Sequence, residues 1–196
     1  MKRRKFLGLS FAFFFLWVAA PSWADTYKVD KDHTSVTFKI RRIFSNAQGT
    51  FRDFDGTLEF DPAKPETWSA RGTLAVKSID TNVPQRDKHL QSKDFFDAEQ
   101  FPLISFKTGK LLSSTKENAK IEGLLTMHGV EKPVVLDVEI HGVGKDPWGN
   151  VRAAFTATTK INRKDFGIVY NQVLDQGQLM IGDDVTVTIE LEGIKA

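Results

Sequence analysis

The chain has 196 residues, carries 27 Lys+Arg against 25 Asp+Glu, and contains no cysteine. That length suits one domain with a sizeable core, and 41% hydrophobic with 11% aromatic content fits a folded globular protein. The missing cysteines exclude disulfides, thiolate zinc sites, iron–sulfur clusters and thiol nucleophiles.

The basic excess sits at the start. Lys2, Arg3, Arg4 and Lys5 precede an apolar run from Phe6 to Ala20, and Pro21-Ser22-Trp23-Ala24 follows. A charged start, an apolar segment too short for a comfortable membrane span, and the small residues Ser22 and Ala24 predict a signal peptide over residues 1–24. Arg3-Arg4-Lys5-Phe6-Leu7 also fits a twin-arginine signal, but the Phe-rich run suits the general secretory route, which is the preferred reading. Either route predicts a periplasmic protein. Losing four positive charges takes the formal charge from +2 to −2 over the 172 residues that remain. No basic stripe is left to neutralise phosphates, which sets nucleic acid aside as a partner.

From Asp25 onward apolar and polar residues alternate with the period of a strand. Val36, Phe38 and Ile40 share one face of the first clear strand, and Phe54, Gly56, Leu58 and Phe60 share one face of the next. Ile121, Gly123, Leu125 and Met127 follow, then Val134, Leu136, Val138 and Ile140. Ala153, Phe155, Ala157, Thr159 and Ile161 precede a last strand with Val185, Val187, Ile189 and Leu191 on its dry face. One wet and one dry face per strand implies antiparallel pairing, because buried parallel strands read as continuous apolar runs.

Turn chemistry marks Asn46-Ala47-Gln48-Gly49, the stretches 62–66, 113–118 and 127–132, and Asp146-Pro147-Trp148-Gly149. About eight strands with no helices between them predict an all-β, up-and-down antiparallel barrel, since closure removes exposed edges. A two-sheet sandwich is the alternative. A short helix is expected near residues 83–92, with Thr81 or Asn82 as its cap and Pro84 in its first turn. The segment 166–184 reads as irregular. Residues 25–196 thus form one domain.

The dry faces mix large residues with Gly56, Gly123, Ala153 and Ala157. An eight-stranded barrel can be filled by its side chains or hold one ligand, and the pattern fits both. A break near Arg52-Asp53 would invert the inward parity of part of the wall.

Catalytic signals are sparse. His33, His89, His128 and His141 form no HxH or HExxH pattern, so no metal site is expected. Asp165-Phe166-Gly167 spells the kinase magnesium motif without the loops that give it meaning. The one dense polar cluster is Gln85-Arg86-Asp87-Lys88-His89, readable as a solvated helix face or as a head-group site. His33 is expected to bond a nearby backbone group.

Several motifs occur in the order found in one family. They are His33-Thr34-Ser35-Val36-Thr37-Phe38, Gly49-Thr50-Phe51 with Phe54-Asp55-Gly56, and Asp80-Thr81-Asn82 with Arg86-Asp87-Lys88-His89-Leu90. Asp94-Phe95-Phe96-Asp97, Phe101-Pro102, Leu125-Thr126-Met127-His128-Gly129-Val130 and Lys132-Pro133-Val134 follow. Asp146-Pro147-Trp148-Gly149, Arg163-Lys164-Asp165-Phe166-Gly167 and Gly182-Asp183-Asp184-Val185 complete the set. Over residues 26–193 the chain resembles the YceI-like family of bacterial secreted proteins.

The resemblance implies an eight-stranded, lipocalin-like barrel holding a polyisoprenoid or quinone-like lipid as its ligand. It implies no other cofactor and no enzymatic activity. It allows transient contact with a membrane or a membrane cytochrome. The expected apolar lining is Val36, Phe38, Ile40, Phe54, Leu58 and Phe60 from the first half. Ile121, Leu125, Met127, Leu136, Val138, Phe155, Ala157, Val187 and Ile189 complete it from the second. Arg42, Arg86, Asp87 and His89 are the head-group candidates. Two positions depart from the family pattern. Arg41-Arg42 stands where a histidine is common, and Tyr170 where a tryptophan often precedes Asn171. The alternatives are a packed barrel for protein–protein interaction and an enzyme acting on a lipid head group. Oligomeric state has no signature here.

The N-terminal reading has a direct check. Intact mass and N-terminal sequencing of the protein from its host's periplasmic fraction should give a chain starting at Asp25.

Overall fold

The computed structural model describes residues 24–174 and 179–196. The expected signal peptide, apart from Ala24, lies outside the described residues. The strands are β1 (Asp25–Val29), β2 (Ser35–Arg42), β3 (Ser45–Phe51), β4 (Phe54–Phe60), β5 (Ser69–Ala75) and β6 (Ile79–Asp80). After helix α1 (Pro84–Leu90) come β7 (Leu103–Ser114), β8 (Asn118–Met127), β9 (Val130–Lys145), β10 (Val151–Asn162) and β11 (Ile181–Lys195).

All pairings are antiparallel, and the order β1-β4-β5-β7-β8-β9-β10-β11 returns to β1 through β11. This is a closed eight-stranded antiparallel barrel. β2, β3 and β6 extend its first three staves past a break: β2 pairs with β11 and β3, and β3 pairs with β6. The outer face carries Lys39, Glu59, Lys107, Lys120, Asp137, Glu139 and Glu190, all exposed. Membrane barrels carry an outward apolar band instead.

The staves break at residues 30–34, 52–53 and 76–78. Backbone groups at the breaks still find partners, as buried polar groups must. The Asp30 N–H donates to the Glu192 carbonyl at 2.8 Å, and the Glu192 N–H donates to the Thr34 hydroxyl at 3.0 Å. Arg52 N–H donates to Ser78 O at 3.1 Å and Ala75 N–H to Asp53 O at 2.9 Å. Each break lets residues three apart face the same side. Phe51 and Phe54 are both buried, and so are Val76 and Ile79. They join one core cluster with Phe95, Ala98 and Phe166 near the helix. A second cluster of Tyr27, Leu58, Phe60, Ala153 and Phe155 closes the other end.

Three local expectations need correction. Asn46 to Gly49 lie inside β3, and the turn falls at Ile43-Phe44, where Ile43 has φ of 50°. The small polar run mimics a turn because Gly49 is there for space: a Cβ would sit 2.7 Å from both Phe38 Cζ and Thr81 Cγ2. The helix cap is Val83, not Thr81 or Asn82, and no side chain caps it. Pro84 at the first helical position forces Val83 into an extended conformation, with φ of −138° and ψ of 95°. His33 meets a carboxylate instead of backbone, its Nδ1 lying 2.7 Å from Asp30 Oδ2. The Asp165-Phe166-Gly167 motif is structural: Phe166 is core, and Gly167 ends a one-turn helix in the left-handed region at φ of 76°.

A single guanidinium ties the seam together. Arg152 Nη1 donates to Asp30 Oδ2 at 2.5 Å and Glu192 Oε1 at 2.6 Å, and its Nε donates to Asp146 Oδ2 at 2.8 Å. Asp146 also accepts from the Trp148 and Asn150 backbone, so the β9–β10 hairpin, the end of β1 and β11 share one cation. The Arg152 hydrogen bond holds the Asp30 carboxyl down at about 2, and the same contact pulls Asp146 well below the carboxylate range.

Carboxyls lowered in the folded state contribute stability above their unfolded pKa, roughly 3.9, and that contribution disappears as pH falls through the folded value. Arg152→Met is therefore expected to lower the thermal midpoint by several degrees at pH 7. The gap from wild type should narrow as pH falls below about 4 and close only below about pH 2, because Asp146 is held lower than Asp30, read by thermal melts across pH.

Candidate ligand-binding site

A cavity of about 730 Å³ runs inside the barrel, within the range of roughly 300–1,000 Å³ common for small-molecule sites. Its extent follows from strand geometry. Val185, Val187, Ile189 and Leu191 of β11 all line it, a run of about 20 Å along the strand and about 15 Å along the tilted barrel axis.

Strand alternation places the walls. β2 contributes Val36, Phe38 and Ile40, and β4 contributes Phe54, Leu58 and Phe60. β8 adds Ile121, Leu125 and Met127, β9 adds Leu136 and Val138, β10 adds Phe155 and Ala157, and β11 adds Val187 and Ile189. The side chains selected by parity thus face one space. Sequence reading missed Phe51, Phe106, Trp68, Phe95, Phe96 and Tyr170, which also line it. Phe51 sits on the far side of the break at 52–53, so it has the opposite parity to Phe54. Phe95, Phe96 and Tyr170 come from segments without strand period, and no local pattern signals them.

The small inward residues differ in purpose. The Phe106 ring fills the space beside Gly123, where a Cβ would also lie 2.7 Å from the Lys107 carbonyl. At Gly56 a Cβ would lie 2.8 Å from the Arg71 carbonyl. Ala153 is packed into the second cluster, whereas Ala157 faces the cavity. Aromatic rings form the floor. Phe60 lies tilted against Trp68 and edge-to-face with Phe155, with centroids 4.8 Å away in each case, and Trp68 Nε1 donates to the Asp61 carbonyl at 2.6 Å.

The mouth lies at the helix end, where the exposed residues Arg42, Val83 and Gln85 line the cavity. Arg86 also lines it, but its Nε donates to Thr81 Oγ1 and its Nη2 to the Thr81 carbonyl, both at 2.8 Å. Asp87 is not on the lining. Its Oδ1 accepts from the Thr81 N–H at 2.9 Å and from the Thr81 hydroxyl at 2.5 Å, so it fastens the loop before the helix. His89 lines the cavity with Nε2 2.7 Å from Asp94 Oδ2 and its ring edge-on to Phe95 and Tyr170. Arg42 makes no side-chain hydrogen bond or ion pair among the described residues.

Arg163, only 3% exposed, also borders the cavity. It donates to the carbonyls of Gly182 at 2.9 Å and of Ile168 and Tyr170 at 2.8 Å. A buried cation is costly unless paired, and here backbone carbonyls and Asp183 satisfy it while it organises the 163–182 segment. Away from the cavity, Asp30, His33 and Glu192 each bring a ligand-type atom within 4.8 Å of the others. Arg152 Nη1 already bonds two of these three groups and takes the place a cation would occupy.

The family model of the YceI-like domain matches residues 27–193. A UPF0312 protein of Pseudomonas savastanoi pv. phaseolicola is 43% identical over 153 residues, covering 76% of this chain and 80% of that protein. A crystal structure of the Campylobacter jejuni YceI protein superposes with a TM-score of 0.70 at 34% identity, covering 80% of this chain and 89% of that one. A polyisoprenoid-binding domain from Saccharophagus degradans, implicated in plant cell wall breakdown, shares the fold with a TM-score of 0.65 at 12% identity, covering 87% and 98%. A barrel with this order of motifs, matched over nearly all its described length, belongs to the YceI-like family.

Proposed function

We propose that this protein is a periplasmic carrier that holds a polyisoprenoid or quinone-like lipid with its tail in the barrel and its head at the mouth. The observation that carries the reading is the cavity itself: a largely apolar space inside a closed barrel, with an aromatic floor and with Arg42, Gln85, Arg86 and His89 bordering its helix end. The domain from Saccharophagus degradans described as polyisoprenoid-binding supports the same ligand class for this fold. The reading is of a binding protein, not an enzyme. His89, the imidazole on the cavity, bonds Asp94 and no hydroxyl nucleophile among the described residues.

Magnitudes divide the work between tail and head. Burying one CH₂ contributes roughly 0.8 kcal/mol, so a five-carbon isoprene unit contributes about 4 kcal/mol before binding costs. A solvent-exposed contact from Arg42 contributes about 0–1 kcal/mol. Tail length and shape set affinity, and the head sets orientation.

Organic extraction and mass spectrometry of the protein from its host's periplasm should yield a near-stoichiometric polyprenyl lipid or quinone. Ala157→Phe should cut loading about tenfold or more by filling the lumen, while Arg42→Gln should weaken retention less than about fivefold. Equal loading of Ala157→Phe and wild type would rule out the lumen as the site. A lipid-free protein that also refuses added isoprenoids would move the function to protein–protein interaction.

A further inference from the structure

The turn between β2 and β3 is built from residues that turns ordinarily avoid. Ile43 is β-branched yet sits at φ of 50°, where a glycine or asparagine would be relaxed. Phe44 follows it and is 91% exposed, the most exposed of the large hydrophobic residues described. No packing inside the protein explains a phenylalanine there. The backbone instead holds it outward: the Ile43 N–H donates to the Met180 carbonyl at 2.9 Å, and the Ser45 hydroxyl donates to the Arg42 carbonyl at 3.4 Å.

Two cations precede this tip. Arg41 spends one contact on the Ile43 carbonyl at 3.4 Å, and neither Arg41 nor Arg42 has a carboxylate partner among the described residues. Exposed cations without a carboxylate partner occur elsewhere too, as at Lys39 and Lys107, so what marks this pair is its place beside the bare Phe44 and the mouth. Arg42 lines the cavity, so the tip is continuous with the mouth. At the same end Val169 is 63% exposed, and Val83 is exposed while lining the cavity. Bare apolar tips beside unpaired cations match the surface of an anionic bilayer, which offers negative head groups above an apolar interior.

We propose that the Arg41-Arg42-Ile43-Phe44 tip docks the mouth of the barrel onto an anionic lipid surface, with Phe44 inserted and the two arginines on the head groups. This rests on the carrier reading and adds how the cargo enters and leaves. Docked this way, a lipid tail passes between bilayer and lumen without crossing water.

The test is sedimentation of the protein, as it accumulates in its host, with phosphatidylglycerol/phosphatidylethanolamine vesicles and with neutral phosphatidylcholine vesicles. Wild type should partition to the anionic vesicles, and Phe44→Ser should lower that partitioning about tenfold. The double variant Arg41→Gln/Arg42→Gln should lose the preference for anionic lipid and its sensitivity to salt. Trp148 is a built-in control, 80% exposed in the β9–β10 turn at the opposite end, and Trp148→Ala should bind like wild type. Phe44→Ser partitioning like wild type, or Trp148→Ala losing as much, overturns the proposal, as does a Phe44→Ser variant that loses only a soluble protein partner. Isoprenoid delivered from cyclodextrin separates the two readings. Phe44→Ser should load normally by that route, and failure of wild type to load there refutes the carrier itself.

Discussion

β11 has two neighbours on one edge, and the barrel depends on that arrangement. Its other edge pairs with β10 from Asp184 to Ile194. On the first edge it takes β1 at residues 193–195 and β2 at residues 181–190. The chain between β1 and β2 must therefore leave the sheet and return in register, and Thr34 and Asp30 stitch it back through Glu192. Once closed, the cylinder has no free edge in its ring, and its radius is set by strand number and shear, not by what lies inside. Side chains cannot draw the walls inward. They fill the space or leave it.

That constraint explains why apolar clusters and a cavity coexist in one small domain. The floor cluster and the helix-end cluster are packed where glycines let side chains approach, as Tyr27 and Leu58 do beside Gly193 and Phe38 does beside Gly49. Between them the inward residues include Ala157 and Val187, too short to meet across a cylinder of fixed width. Their atoms lack partners on one side and lose the dispersion contacts a filled core supplies. A ligand that fits only the folded cylinder restores those contacts and stabilises the fold by mass action. On the carrier reading, binding and folding are coupled through geometry.

The barrel was legible because alternation is a strong signal when one face is wet and the other dry. Val185 to Leu191 and Leu136 to Ile140 could be assigned to the inside residue by residue, and closure followed from the number of strands. The breaks at 30–34, 52–53 and 76–78 were not legible in the same way. They are held by long-range bonds such as Arg52 to Ser78, which leave no local trace. Phe51 escapes strand parity for that reason, and Gly49 mimics a turn residue because its partner, Thr81, lies more than thirty residues away in sequence. The mouth was harder still. Asp87 sits one residue from Arg86 in the same polar cluster, yet it turns to Thr81 while Arg86 reaches the lining. A charge run specifies neither which member faces inward nor which is occupied by the backbone.

Those commitments decide what the mouth can recognise. Arg163 gives its donors to three carbonyls, Arg86 gives two to Thr81, and Asp87 accepts from Thr81 in turn. Most of the charge around the opening thus serves the fold and is already neutralised by fixed dipoles. What remains available is Arg42, exposed and screened by water, the exposed Gln85, and the Nδ1 edge of His89, whose Nε2 is held by Asp94. One screened cation, one amide and one imidazole edge discriminate weakly among head groups. The aromatic and aliphatic wall below them, about 15 Å deep, discriminates strongly by length and branching, because each methylene that fits or fails is worth roughly 0.8 kcal/mol. On the carrier reading proposed above, selectivity resides in the tail, and a change of head group at constant tail should be tolerated far better than a change of tail at constant head.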